Sequence, residues 1–179
     1  MTRVTLKTST FSSEASSLSN DQTVTGHLPK RLLFAMVDNS DFPVAINTNP
    51  YIFQDFGNRT YAMFVNGRHV PNETLTFDTD HEKTSVMAHD TLYDGSGIHH
   101  SNSGLQVTHD MFINGYVMLF FDLTPDLAAS GHASPAEIGT IRIEVTFKEA
   151  LKKVITCLLY LEYDNSVRVD LYRTVTTDF

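Results

Sequence analysis

The sequence predicts an all-β protein, an eight-stranded antiparallel jelly-roll sandwich with one short helix and long loops. Three observations lead there. Short alternating or continuously apolar runs, about eight of them, are separated by stretches rich in Gly, Pro, Asn and Ser. Only Glu82 to Tyr93 carries helical spacing, through Val86, Met87, Asp90 and Tyr93. Strands do not alternate with helices, as a βαβ sheet would require.

Thr2 to Phe11 opens as a strand, with Val4 and Leu6 set against Thr5 and Lys7. Ser12 to Gly26 offers little to bury and is expected to be a mobile surface loop. Leu28 to Val37 is the second strand, with Leu32, Phe34 and Met36 on one face. Asp38 to Asn49 is loop, and the aromatics of Pro50 to Phe56 pin a short turn or helix against the sheet. Tyr61, Met63 and Val65 alternate toward Asn66-Gly67, a two-residue hairpin signal. The helix of Glu82 to Tyr93 is expected to stop at Gly95, and Gly95 to Gly104 to form a long exposed loop.

Asn114 to Leu127 holds the densest apolar run. Tyr116, Met118 and Phe120 fall on one face of a strand and Val117, Leu119 and Phe121 on the other, so it must be covered on both sides. It is expected to lie at the centre of the core and to end near Asp122, because Pro125 donates no ladder hydrogen bond and biases Thr124 away from helix. Ala128 to Pro135 is loop. In Thr140 to Lys148, Ile141, Ile143, Val145 and Phe147 face in while Arg142, Glu144 and Thr146 face out. Val154 to Tyr163 is more continuously apolar and should be central. Val167, Val169 and Leu171 alternate once more against Arg168, Asp170 and Tyr172.

At 179 residues the simplest organisation is one domain over residues 1–179, with neither repeat nor linker. A hydrophobic content of 41% against 19% charged residues supports a packed core rather than disorder. The net charge of −8, with scattered basic residues, argues against a general nucleic-acid surface, which needs clustered Lys and Arg to displace counterions. The polar start fits no signal peptide, and no apolar run approaches the roughly 20 residues that span a bilayer. Asn58-Arg59-Thr60 and Asn72-Glu73-Thr74 match the glycosylation sequon but read as ordinary polar loop residues.

No chemistry assembles from the motifs. His99 and His100 are adjacent and would point to opposite faces of a strand, while His81, His89, His109 and His132 lack paired spacing and read as solvated loop residues. Gly95-Ser96-Gly97 lacks the Gly-x-Ser-x-Gly of a nucleophile elbow. Cys157 lies in an apolar strand without a basic neighbour and reads as a small buried hydrophobe. Asp78 with Asp80, and Asp122 with Asp126, are carboxylate pairs without geometric information; the latter marks a corner. The expectation is no catalytic, cofactor-binding or metal-binding residue, no cofactor, and no enzyme activity.

Several segments nevertheless form a recognisable series. LPKRLLFAMVDNSDF (Leu28 to Phe42), NPYIFQDFG (Asn49 to Gly57), YAMFVNGRHVP (Tyr61 to Pro71), GSGIHHSNSG (Gly95 to Gly104), NGYVMLFFDLTPDL, IRIEVTFKEAL and CLLYLEYDN occur in that order. Together they resemble the C-terminal part of the major capsid proteins of Polinton (Maverick) elements and adintoviruses, from about Val4 to the last residues. That family's capsid protein is a double jelly roll, three copies of which build a pseudo-hexagonal capsomer. The resemblance covers the second jelly roll only, which implies an excised fragment, a product of a broken or domesticated element, or a free-standing single jelly roll.

What the resemblance implies is a structural capsid domain of a virus or virus-derived transposon that self-associates into a homotrimer or pseudo-hexameric capsomer with other capsid proteins. It implies no specific nucleic-acid partner and no membrane. Its expected place is the virion, made inside a eukaryotic host cell and not secreted. The alternatives are a domesticated jelly roll that binds a glycan or host protein through Gly95 to Gly104 and, further off, a cupin-like metalloenzyme.

Overall fold

The computed structural model describes residues 2–43, 49–77, 85–98, 104–124 and 135–177. Its core is the space between two antiparallel sheets. The first, in the order β1-β9-β3-β7, is built from β1 (Thr2–Phe11), β9 (Ile155–Asp164), β3 (Arg31–Asp38) and β7 (Met118–Asp122). The second runs β2 (Ser17–His27), β8 (Ile138–Phe147), β4 (Asn58–Val65) and β5 (Arg68–His69), with β6 (Leu75–Thr76) also paired to β4. Apart from β4, β5 and β6, which stay in the second sheet, successive strands from β1 to β9 cross from one sheet to the other, as in a jelly roll. A small hairpin, β10 (Val167–Val169) with β11 (Val175–Thr177), stands apart, so the described strands number eleven rather than the eight expected.

Alternation explains the interior. Ile141, Ile143, Val145 and Phe147 of β8 face Leu32, Phe34 and Met36 of β3 and Cys157, Leu159 and Leu161 of β9, all in one buried cluster. Tyr61 stands at the centre, its ring 5.0 Å from that of Phe34 and stacked 5.6 Å from that of Phe121. A small pocket beside Phe34, Cys157 and Val145, open toward Ser9 and Asn20 at the sheet edges, has a volume of about 20 Å³, room for a single water. Asn66 and Gly67 turn β4 into β5 with φ of 51° and 78°, the hairpin the sequence announces.

Five expectations are corrected. Ser12 to Gly26 is largely β2, which pairs with β8 from Ser17↔Thr146 to His27↔Ile138, so only its first residues form a turn. Gly95 does not stop the helix: α1 is Ser85–Ser96, and Gly95 is buried within it. The turn out falls at Gly97, where φ is 72°, while residues 82–84 and 99–103 lie outside the described residues. A second, unforeseen helix, α2 (His109–Ile113), is capped by Thr108, whose Oγ1 accepts from the Met111 amide at 3.2 Å. Strand β7 ends at Asp122 as expected but lies at a sheet edge, and β9, between β1 and β3, holds the central place. Val167, Val169 and Leu171 are all exposed, Leu171 completely, because β10 pairs only with β11 and covers nothing.

The two-sided strand keeps its logic at the edge. Val117, Leu119 and Phe121 enter the core; on the opposite face Phe120 packs beside α1 and Met118 is half-buried, while Tyr116, expected to be covered, is 41% exposed just ahead of the strand. Pro50 to Phe56 is a turn as expected, but of its aromatics Phe56 packs against the core while Tyr51 is 72% exposed, and a parallel backbone bridge between Phe53 and Tyr116 holds the segment.

Candidate assembly surfaces

Residues that drew attention as possible chemistry are dispersed or serve the framework. His81, His99, His100, His132, Asp78, Asp80 and Asp126 lie outside the described residues. Among the described residues no three His, Cys, Asp or Glu side chains gather as a metal site would require. Cys157 is buried in β9, and burial pushes its thiol up to about 12. Asn58 is only 1% exposed at the start of β4, not the polar loop residue expected, so its sequon is closed to modification; Asn72 is exposed.

His89 and His109 are likewise not solvated loop residues. His89 is buried on α1, its Nε2 2.9 Å from the Val107 carbonyl, and its ring packs against Tyr93, Phe112 and His109. His109 Nε2 lies 2.8 Å from Ser85 Oγ. Together they lock α1 to α2. The i, i+4 spacing of His89 and Tyr93 was the available signal, but the cover from α2 had none.

Asp122 holds the corner that ends β7. Its Oδ1 accepts from the Thr124 amide at 2.9 Å and from the Thr124 hydroxyl, while Oδ2 lies 3.4 Å from Arg31 Nε. Arg31 Nη1 reaches Glu162 at 3.8 Å, so a charged row closes one end of the first sheet. At the other end Lys153 donates to Asp38 at 2.8 Å. That bond, with lesser help from Ser40, holds the Asp38 carboxyl below the ordinary range, and Asp38 in turn raises Lys153.

What remains for a partner is defined by faces and edges. The registers set Leu6, Tyr160, Leu33 and Phe120 side by side across the outer face of the first sheet, with Thr8, Leu158, Ala35 and Met118 as the neighbouring row. Helix α1 covers the β7 end of this face, and Thr91 Oγ1 accepts from the Phe120 amide at 3.3 Å. The β1 end is open, with Leu6 57% and Val4 45% exposed. Beyond the sheets, a cleft of about 380 Å³ is lined by Arg3, Lys30, Leu123, Pro135 and Tyr163.

No family model and no curated protein matches the sequence. The architecture does find a counterpart. A chain in the 3.5 Å cryo-EM structure of the Sputnik virophage superposes over 99% of this one, with a TM-score of 0.53 and 10% identity. The chain shares the fold of a Sputnik virophage protein. It spans 38% of that protein's length. At this identity the likeness is one of fold alone.

Proposed function

We propose that this chain is a structural capsid domain, a jelly-roll unit over residues 1–179 that builds a viral or virus-derived shell by associating with itself and with other capsid proteins. The superposition of nearly the whole chain on a virophage protein is the observation that carries this reading. The ordered series of segments that resembles Polinton and adintovirus capsid proteins supports a narrower assignment, to the second jelly roll of a double jelly-roll capsid protein. The filled interior fits a stiff building block better than a ligand-binding barrel, and the acidic balance fits contacts with protein rather than packaged nucleic acid.

On this reading the chain is not an enzyme and uses no cofactor or catalytic residue. Its partners are further capsid subunits in a trimeric or pseudo-hexameric capsomer, and its place is the virion assembled in a eukaryotic cell. Light scattering and negative-stain microscopy of the purified chain, alone and mixed with a supplied first jelly roll, test it. Trimers or pseudo-hexagonal particles are expected. A chain that stays monomeric at high concentration and ignores the supplied unit overturns the assembly role.

A further inference from the structure

We propose that β1 is a self-pairing edge through which two copies of this chain join, antiparallel, about a two-fold axis at Leu6. The two four-stranded sheets then continue into one another. The inference does not depend on the capsid reading.

The other edges of the two main sheets are closed to such pairing. Strand β2 is bulged between Asn20 and Val24, and Lys7 Nζ donates across the sheets to its Thr23 carbonyl at 3.1 Å. Strand β7 is sealed by α1 through the bond from the Phe120 amide to Thr91. On the far side of the second sheet, β5 and β6 are two residues each, too short to template a partner. Strand β1 is different. Its ten residues pair with β9 without a bulge, contain no proline, and have no neighbour on the other side among the described residues.

Side chains choose the occupant and the register. The outward residues Val4, Leu6, Thr8 and Thr10 are uncharged, and Leu6 continues the apolar row of Tyr160, Leu33 and Phe120 up to the open edge. The charges on β1 are Arg3, which sits 4.9 Å over the Tyr163 ring, and Lys7, held by Thr23. Opposed residues share a face, so a two-fold pairing is centred on one residue. Centring on Lys7 opposes two ammonium groups, and centring on Thr5 sets Arg3 against the partner's Lys7. Centring on Thr8 leaves Val4 unpaired. Centring on Leu6 sets Lys7 against the partner's Thr5, Arg3 against the partner's Ser9, and Leu6 against the partner's Leu6. The apolar row then runs unbroken through both copies. Charge removes the Lys7 and Thr5 centres, and the continuity of the apolar row through Leu6 favours a second copy in the Leu6 register.

The test uses the full chain. Sedimentation equilibrium should show dimers or, where the trimer of the capsid reading forms, trimers joined in pairs through β1, and this pairing should weaken at least tenfold in Leu6→Lys, a change at an exposed position. Under mild oxidation Leu6→Cys should cross-link rapidly, because two-fold pairing brings its Cα atoms within disulfide range, while Thr10→Cys, set against the partner's Thr2, should not. Cys157 is buried and common to both variants. A wild-type monomer, association indifferent to Leu6→Lys, or equal cross-linking of the two cysteine variants overturns the proposal. Trimers without a Leu6→Cys cross-link would also overturn it while leaving the capsid reading intact.

Discussion

Gly95→Ala sets two physical effects against each other, and the sign of the result reports how α1 is seated. On helix propensity alone, alanine inside a helix is better than glycine by about 1 kcal/mol. The structure opposes this. A Cβ at Gly95 would stand 2.5 Å from both the carbonyl carbon and oxygen of Phe120 and 2.7 Å from its Cγ, against an ordinary contact of 3.4–4 Å. Two of these atoms are backbone of a paired strand, so the helix must retreat by roughly 1 Å. Overpacking of this kind costs about 1–3 kcal/mol. Retreat also strains the bond from the Phe120 amide to Thr91, a contribution of about 1 kcal/mol. The net expectation is a loss of about 1–3 kcal/mol, or roughly 2–12 °C in Tm for a chain of this size. Urea and thermal unfolding followed by circular dichroism measure it. Gly104→Ala is the control, since Gly104 is exposed with nothing within 4 Å, and it should change stability by less than about 0.5 kcal/mol. If Gly95→Ala matches or exceeds the wild type, the close seating of α1 on β7 is wrong.

Tyr61→Phe should leave Tm unchanged or raise it, because the Tyr61 hydroxyl is buried without a hydrogen-bond partner while the ring keeps its contacts with Phe34 and Phe121; a clear loss of stability would show the hydroxyl to be satisfied. Cys157 should resist thiol reagents at pH 8 in the native protein and react fully in denaturant, and rapid native labelling would contradict its burial. Its thiol is raised from 9.0 to about 12, so the native state favours the neutral form; the contribution is whole below pH 9 and lost as pH rises from 9 toward 12, and Cys157→Ala should flatten this alkaline limb of the stability curve. The sign reverses for Asp38, whose lowered pKa stabilises the fold above the ordinary value of 3.8 and ceases to do so as pH falls through the folded value. Lys153→Met should move the NMR titration of Asp38 upward and weaken acid resistance, and an unmoved titration would remove Lys153 as the cause.

Legibility in the sequence followed burial. Strand β8 was read correctly because one face meets the core and the other meets water, so its side chains alternate. Strand β9 reads as central because apolar residues occupy both its faces, the inner one buried and the outer one, with Leu158 and Tyr160, half-buried. Strand β2 reads as a loop because this edge strand buries little: Leu18, Thr23 and Val24 are buried, while the remainder is polar and matches a loop in composition. The hairpin of β10 and β11 erred in the other direction, since alternation without a second layer to meet is a pattern without a core. Gly95 reads as a helix end because a glycine that ends a helix and one that admits a strand to its surface look identical in one dimension. His89 and His109 are 20 positions apart in sequence, and only the packing of α1 on α2 brings their rings to 5.6 Å.

The stretch from Asn114 to Leu127 ties these lessons to assembly. Apolar residues on both faces call for cover on both sides, and different bodies supply it where the strand is formed: the opposing sheet covers Leu119 and Phe121, and α1 packs beside Phe120, while Tyr116, ahead of the strand, stays exposed. A strand covered in this way does not have to be central, because a helix on the outer face lets the sheet end there. The consequence is an asymmetric sheet, with α1 bonded to the β7 edge through Thr91 and β1 open at the opposite edge. An apolar outer face that begins under a helix at Phe120 and runs to an exposed Leu6 leaves its unfinished surface at β1, where a further chain can complete it.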